Sequence, residues 1–130
     1  MNTYLTAKDI ATNTLYYIDG LASVKQAITM MKTHNIDALI IAKRDEKDAN
    51  GIIVISDIIR GVIILDKSPD EVSVYEIMRK PAISIPSTLN SKYVPRLLVN
   101  AKIGVAPVEE NGTYVGMISL KNYLFNTYDK

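Results

Sequence analysis

A chain of 130 residues, 48% of them apolar, has the size of one compact domain, and a formal net charge of +1 gives none of the basic excess expected of a nucleic-acid binder. With no cysteine and a single histidine, His34, the sequence excludes a disulfide framework and a thiol nucleophile and leaves few of the nitrogen and sulfur ligands that a zinc enzyme needs. The start of the chain carries no basic and apolar leader pattern, and no apolar run approaches the roughly 20 residues that span a bilayer, so the expectation is a soluble cytoplasmic protein with no nucleic-acid or membrane partner.

In chain order, Tyr16 to Ile18 alternates weakly and predicts a short strand. Ser23 to His34 predicts a helix: Val24, Ala27, Ile28 and Met31 recur at helical spacing, Ser23 and Gln26 offer a capping box, and His34 and Asn35 end it. His34 reads as a cation complementing the dipole in the last turn, not as a catalytic base. Ala38 to Ala42 predicts a buried strand, Lys43 to Asn50 a charged hairpin loop, and Gly51 to Ile55 a second strand rich in β-branched residues. Ser56 opens a helix running to about Leu65. Ser68-Pro69-Asp70-Glu71 predicts another helix start, continuing through Met78 and linking two halves. Then come a strand over Ile83 to Ile85 and a helix over Ser91 to Ala101 that Pro95 delays or bends. Strands over Gly104 to Glu109 and Thr113 to Ile118 are joined by Glu110-Asn111-Gly112, whose Asn-Gly pair supplies positive φ. Ser119 to Asn126 predicts the closing helix.

This order occurs twice. Asp9-Ile10-Ala11-Thr12 and Glu76-Ile77-Met78-Arg79 stand 67 residues apart, as do Leu15 and Ala82, Met30 and Leu97, and Ile36 and Ile103. Gly51 and Gly116 stand 65 apart, which a first hairpin loop two residues longer explains. A unit of roughly 60 residues buries little surface alone. The expectation is therefore an α/β (α+β) fold of two pseudo-twofold-related β-α-β-β-α repeats, packed sheet to sheet with a cleft between them. The boundaries drawn from the repeat are 1–66, the first repeat with an N-terminal segment, and 67–130, the linker helix and second repeat.

Gly116-Met117-Ile118-Ser119-Leu120 resembles the signature of the CBS (cystathionine-β-synthase) domain: glycine, two apolar residues, Thr or Ser, two variable residues, then Asp. Gly51-Ile52-Ile53-Val54-Ile55-Ser56-Asp57 resembles it at the first glycine and the final Asp. The stretch from Val74 to Pro81 is similar to the lead-in of a second CBS repeat, and Ala106 to Gly112 to its middle strand and hairpin, so the resemblance covers nearly the whole chain. It implies a stand-alone, Bateman-type CBS pair: a regulatory module, not an enzyme and without a cofactor. Such a module binds an adenosine-containing nucleotide (AMP, ADP, ATP or S-adenosylmethionine) in the cleft between repeats. It signals to a separate, unidentified effector protein through a homodimer or a conformational change.

In the family the signature Asp holds the ribose hydroxyls, the Thr or Ser contacts phosphate or ribose, and the first two strands hold the adenine. By position, the first pocket takes Leu15, Tyr16, Ile36, Asp37 and Asp57, and the second takes Ala82, Ile83, Ile103, Gly104, Ser119 and Asn122. Arg60, Lys80 and Lys121 are the candidate phosphate partners. The chemistry fits, since a carboxylate accepts from both ribose hydroxyls and a helix N-terminus offers free N–H groups to phosphate. Each repeat departs from the signature: the first has Val54 where Thr or Ser is expected, and the second has Asn122 where Asp is expected. Asp37 at the first pocket's mouth would repel phosphate and Gly104 leaves room for a base, which favours the second pocket. Helix capping alone would also select Ser56-Asp57 and Ser119. The alternative is thus a ligand-free dimerisation scaffold with degenerate nucleotide sites. Its contact surfaces would be the helix Ile58 to Leu65 and the closing helix Tyr123 to Tyr128. Tyr75, Tyr93, Tyr114 and Tyr123 lie at amphipathic positions and are expected to cover core edges.

Overall fold

The computed structural model describes residues 4–127, so the Tyr128 end of the expected closing-helix surface lies outside the described residues. In chain order the elements are α1 (Ala7–Ile10), α2 (Val24–His34), β1 (Ala38–Ile41), β2 (Gly51–Val54), α3 (Ile55–Ile58), β3 (Ile85–Pro86), α4 (Val94–Asn100), β4 (Val105–Glu110), β5 (Thr113–Ser119) and α5 (Leu120–Thr127). They make two compact α+β units, one of residues 16–82 and one of residues 4–15 with 83–127.

In the unit of residues 16–82, α2 starts where its capping box predicts. Ser23 Oγ accepts from the Gln26 N–H at 3.1 Å, and Gln26 Oε1 accepts from the Ser23 N–H at 2.8 Å. Asn35, at φ 52°, ends the helix in the left-handed region. Its buried stripe, Val24, Ala27 and Met31, packs on Leu39, Ile41 and Ile53 of the β1–β2 hairpin. Each of the larger side chains here, Val, Leu, Ile or Met, contributes about 1.5–3 kcal/mol by leaving water. The strand expected at Tyr16 to Ile18 shrinks to one parallel bridge, Tyr17 to Ile40, because the chain turns at once: Asp19 Oδ1 takes the Leu21 N–H at 2.8 Å.

The helix after β2 begins at Ile55, one residue before Ser56, and widens into a π-helical turn over Ile59–Ile63. The expected helix from Ser68 through Met78 does not form. Its carbonyls serve another helix: Pro69 O accepts from Lys25 N–H at 3.1 Å and Val72 O from Val24 N–H at 2.8 Å, which satisfies the open first turn of α2. Only a 3-10 turn, Val74–Glu76, remains there, with Glu76 Oε2 accepting from the Ser73 N–H.

In the second unit, β3 runs parallel to β4, and β4 returns antiparallel through β5. Asn111 at φ 53° and Gly112 at φ 83° make the tight turn that the Asn-Gly pair predicts. After a 3-10 turn at Ser91–Tyr93, α4 begins at Val94, with Pro95 in the first turn, where a missing N–H costs nothing. The core is Ala7, Ile85, Val94, Leu98, Ala106, Val108 and Ile118.

Each unit is completed by the segment that leads into the other repeat. Arg79 pairs antiparallel with Ile52 on the free side of β2, and Thr12, 67 residues earlier, pairs with Met117 on β5. The same offset relates the Thr6–Asp9 and Ser73–Glu76 caps. The signature glycines permit this approach. A Cβ on Gly116 would stand 2.7 Å from Thr12 O and 2.9 Å from Ala11 Cβ; one on Gly51 would stand 2.8 Å from Met78 Sδ and 3.3 Å from Arg79 O. The spatial units therefore interleave the sequence halves 1–66 and 67–130: residues 4–15 fold with the second half and residues 67–82 with the first.

Candidate functional site

In the first repeat, β2 runs straight into α3, which places Asp57 at the third helical position and Val54, not Ser56, at the cap. The Val54 N–H donates to Asp57 Oδ2 at 3.0 Å, while the Val54 side chain has no acceptor to return the bond. The Asp57 side chain is only 5% exposed, and its Oδ1 accepts from Arg60 Nη2 and from Arg79 Nε, both at 3.0 Å. The carboxylate assigned to ribose thus already holds two guanidinium groups and an amide, and Arg60, assigned to phosphate, is one of its partners. Of the other residues assigned to this pocket, the Tyr16 ring stacks on His34 at 4.1 Å, Ile36 packs against the core and Asp37 is exposed. Leu15 belongs to the other unit.

The second repeat reverses the pattern. Ser119, buried at the end of β5, accepts the Asn122 N–H on its Oγ at 3.0 Å and so caps α5. The half-buried Asn122 side chain has no hydrogen-bond partner among the described residues. The first repeat retains the carboxylate half of a capping box and the second retains the hydroxyl half. Gly104 is exposed and a Cβ there would meet nothing within 4 Å, while its carbonyl takes the Leu120 N–H at 2.9 Å. Ile103 leans on the core of the unit and Ile83 is half exposed. Ala82 sits in the other unit, its N–H held by Asn50 O at 2.8 Å. Lys121 is exposed in the first turn of α5 and forms no ion pair among the described residues.

Lys80 is directed elsewhere: its ammonium pairs with Asp48, which also accepts from Arg44 N and Nε at 2.9 and 3.0 Å. The Lys80 ammonium, aided by the Arg44 amide, holds the Asp48 carboxyl well below the usual carboxylate range. These residues border a cavity of about 750 Å³ with Tyr17, Leu21, Tyr75 and Met78. Tyr75 is half exposed here instead of covering a core edge, as is Tyr93, whose ring carries Lys92 Nζ 5.1 Å from its centre. Sequence reading missed Arg79. The available signal was its replacement of the Thr found at the matching position, Thr12.

Two α+β repeats, each with a glycine-bearing strand running straight into a helix, are the arrangement of a CBS pair. The family model of the CBS domain matches residues 7–64 and 74–126, and the chain belongs to that family. Among solved structures it is similar to the hexameric CBS-CP12 protein from bloom-forming cyanobacteria, at 35% identity and a TM-score of 0.90, over 95% of this chain and 72% of that one. An uncharacterized protein of Methanopyrus kandleri is 31% identical over 96 residues, 72% of this chain and 48% of the relative. A mitochondrial CBS domain-containing protein of Arabidopsis thaliana is 30% identical over 101 residues, 75% of this chain and 49% of the relative. The chain therefore spans about half the length of these two relatives. Among the described residues no helix is long and apolar enough to cross a membrane.

Proposed function

We propose that this chain is a regulatory sensor, not an enzyme, that binds an adenosine-containing nucleotide (AMP, ADP, ATP or S-adenosylmethionine) at its second repeat and acts as a homodimer on a separate effector protein. The observation that carries the reading is the contrast between the two helix starts. Asp57 already holds three donors, whereas the Asn122 side-chain amide, at the capped start of α5, has no hydrogen-bond partner among the described residues. An amide both accepts from and donates to a ribose hydroxyl, and Lys121 supplies a cation for phosphate. The dimer reading rests on apolar side chains left in water: Ile59, Ile63, Ile64 and Leu65 after β2, and Leu124 and Phe125 on α5. Regulation then requires that ligand binds two states of the assembly with different affinity.

The test is thermal unfolding with each of the four ligands. A ligand at a hundred times its dissociation constant adds about 2.7 kcal/mol, and Ser119→Ala with Asn122→Ala abolishes the gain. No shift with any of the four refutes the sensor and leaves the ligand-free scaffold.

A further inference from the structure

The cavity bordered by Tyr17, Tyr75 and Lys80 opens where a strand pairing ends early. Residues 16–18 run beside β1, and the last bond between them among the described residues is Ile18 N–H to Ile40 O at 2.9 Å. The chain then turns away, with Asp19 Oδ1 holding the Leu21 N–H, and the Tyr75 N–H fastens the turn by donating to Gly20 O at 2.9 Å. In the second repeat the pairing continues past this point. Ser87, 67 residues after Gly20, is buried and donates its N–H to Glu109 O at 2.9 Å, and Lys8, 67 residues before Tyr75, pairs with Glu110. A Cβ on Gly20 would stand 3.4 Å from Tyr75 Cβ and 3.6 Å from Ile41 Cγ2, so a side chain there would occupy space among the residues that line the cavity.

That space of about 750 Å³ lies within the roughly 300–1,000 Å³ of small-molecule pockets. Buried Ile18 and Ile41 and half-buried Met78 make the lining apolar, and half-exposed Tyr17 and Tyr75 add aromatic surface suited to a flat body. The charged groups of the lining are unequally engaged. Asp48 accepts from Arg44 N, Arg44 Nε and the Lys80 ammonium, which fills most of a carboxylate's acceptor positions. Arg44 gives only its Nε–H from the side chain, so both Nη groups of its fork have no partner among the described residues. Asp19, the other carboxylate, is engaged by its own turn. The open groups at the Asp48 end are therefore donors, and a guanidinium fork takes a carboxylate or phosphate through two parallel bonds.

We infer that this cavity is a ligand site for a small organic anion with a flat apolar body, an aryl carboxylate or aryl phosphate, whose acid group meets Arg44 and Lys80. The inference does not use the nucleotide reading, because Asp57, Ser119 and Asn122 are not among the residues that line the cavity.

The probe is 2-naphthoate, with 2-naphthylmethylammonium as the same body of opposite charge. Carbon-13 methionine-methyl spectra of the full chain read the result, with Met78 reporting from the cavity and Met30 and Met117 from outside it. Naphthoate should shift the Met78 methyl, and the cation should bind about tenfold more weakly or worse. Arg44→Gln should weaken naphthoate about tenfold, as loss of a charge-assisted hydrogen bond does. Gly20→Leu should abolish the Met78 shift while the Met30 and Met117 methyls keep their wild-type positions. Tyr17→Ala, with a similar loss expected, replaces Gly20→Leu if that variant fails to fold. A Met78 methyl unmoved by millimolar naphthoate overturns the site, as does a shift undiminished in the cavity variant. Equal binding of the cation, or undiminished binding by Arg44→Gln, overturns the anion assignment. Displacement of naphthoate by AMP makes the cavity the nucleotide's own seat and overturns a separate site.

Discussion

Replacing Gly116 by alanine tests how the lead-in segment is held. The new Cβ would lie 2.7 Å from Thr12 O and 2.9 Å from Ala11 Cβ. Both are backbone or first side-chain atoms, with no rotamer through which to retreat. Relief requires the 11–12 backbone to lift from β5, breaking Thr12 N–H to Met117 O at 2.8 Å and Met117 N–H to Thr12 O at 2.9 Å. Two net hydrogen bonds of about 1 kcal/mol each, against the 1–3 kcal/mol typical of overpacking as the competing route, give a loss of about 2 kcal/mol. Two further glycines calibrate the result. At Gly51 the closest atom is Met78 Sδ, a flexible thioether, with the nearest backbone atom at 3.3 Å, so Gly51→Ala costs less, about 1 kcal/mol. At Gly104 a Cβ meets nothing, so Gly104→Ala stays within about 0.5 kcal/mol of wild type. Urea denaturation of the three variants should rank them Gly116, Gly51, Gly104. A Gly116→Ala protein as stable as Gly104→Ala refutes the packing argument.

Four further outcomes are expected. Ser119→Ala removes the α5 cap and costs about 1 kcal/mol in urea denaturation. Asp57→Ala leaves two guanidinium groups and the Val54 N–H without their acceptor; it costs about 2 kcal/mol, less than a fully buried pair, because both arginines reach solvent. Lys80 beside Asp48 and Lys8 beside Glu110 hold both carboxyls below their ordinary range in the folded chain. The unfolded chain therefore takes up protons first: this stability is complete above the ordinary carboxylate value of about 4 and is lost as pH falls through the folded values. Thermal melts at descending pH should show it, with a shallower acid limb in Asp48→Asn. Finally, fragments 1–66 and 67–130, made separately, each lack the segment that completes their sheet. Both should give circular dichroism of unfolded chains, and a folded spectrum from either one refutes the interleaving.

The elements legible in the sequence are those whose signals are local. The capping box of α2, the Asn-Gly hairpin and the Pro95-delayed α4 stand where residue chemistry puts them. The helix expected from Ser68 had an equally good local signal and failed, because Pro69 and Val72 spend their carbonyls on the start of α2 more than forty residues upstream. Val54 rather than Ser56 became the cap because β2 passes into α3 without a break. The doubled pattern revealed two repeats, yet not that each borrows the other's lead-in, since that exchange is a pairing between distant residues. Arg79 was invisible as a site residue for the same reason: its partner lies 22 residues away, across a bridge no periodicity records.

The interleaving also decides which unit carries the ends of the described chain. Residues 4 and 127 both emerge from the unit that contains Ser119 and Asn122, while residues 16–82 own neither end. Any extra domain spliced to either terminus, upstream or downstream, is tethered to that same body. Through such an attachment a tug or a twist is applied to the unit that holds the start of α5, not to the one that holds Asp57.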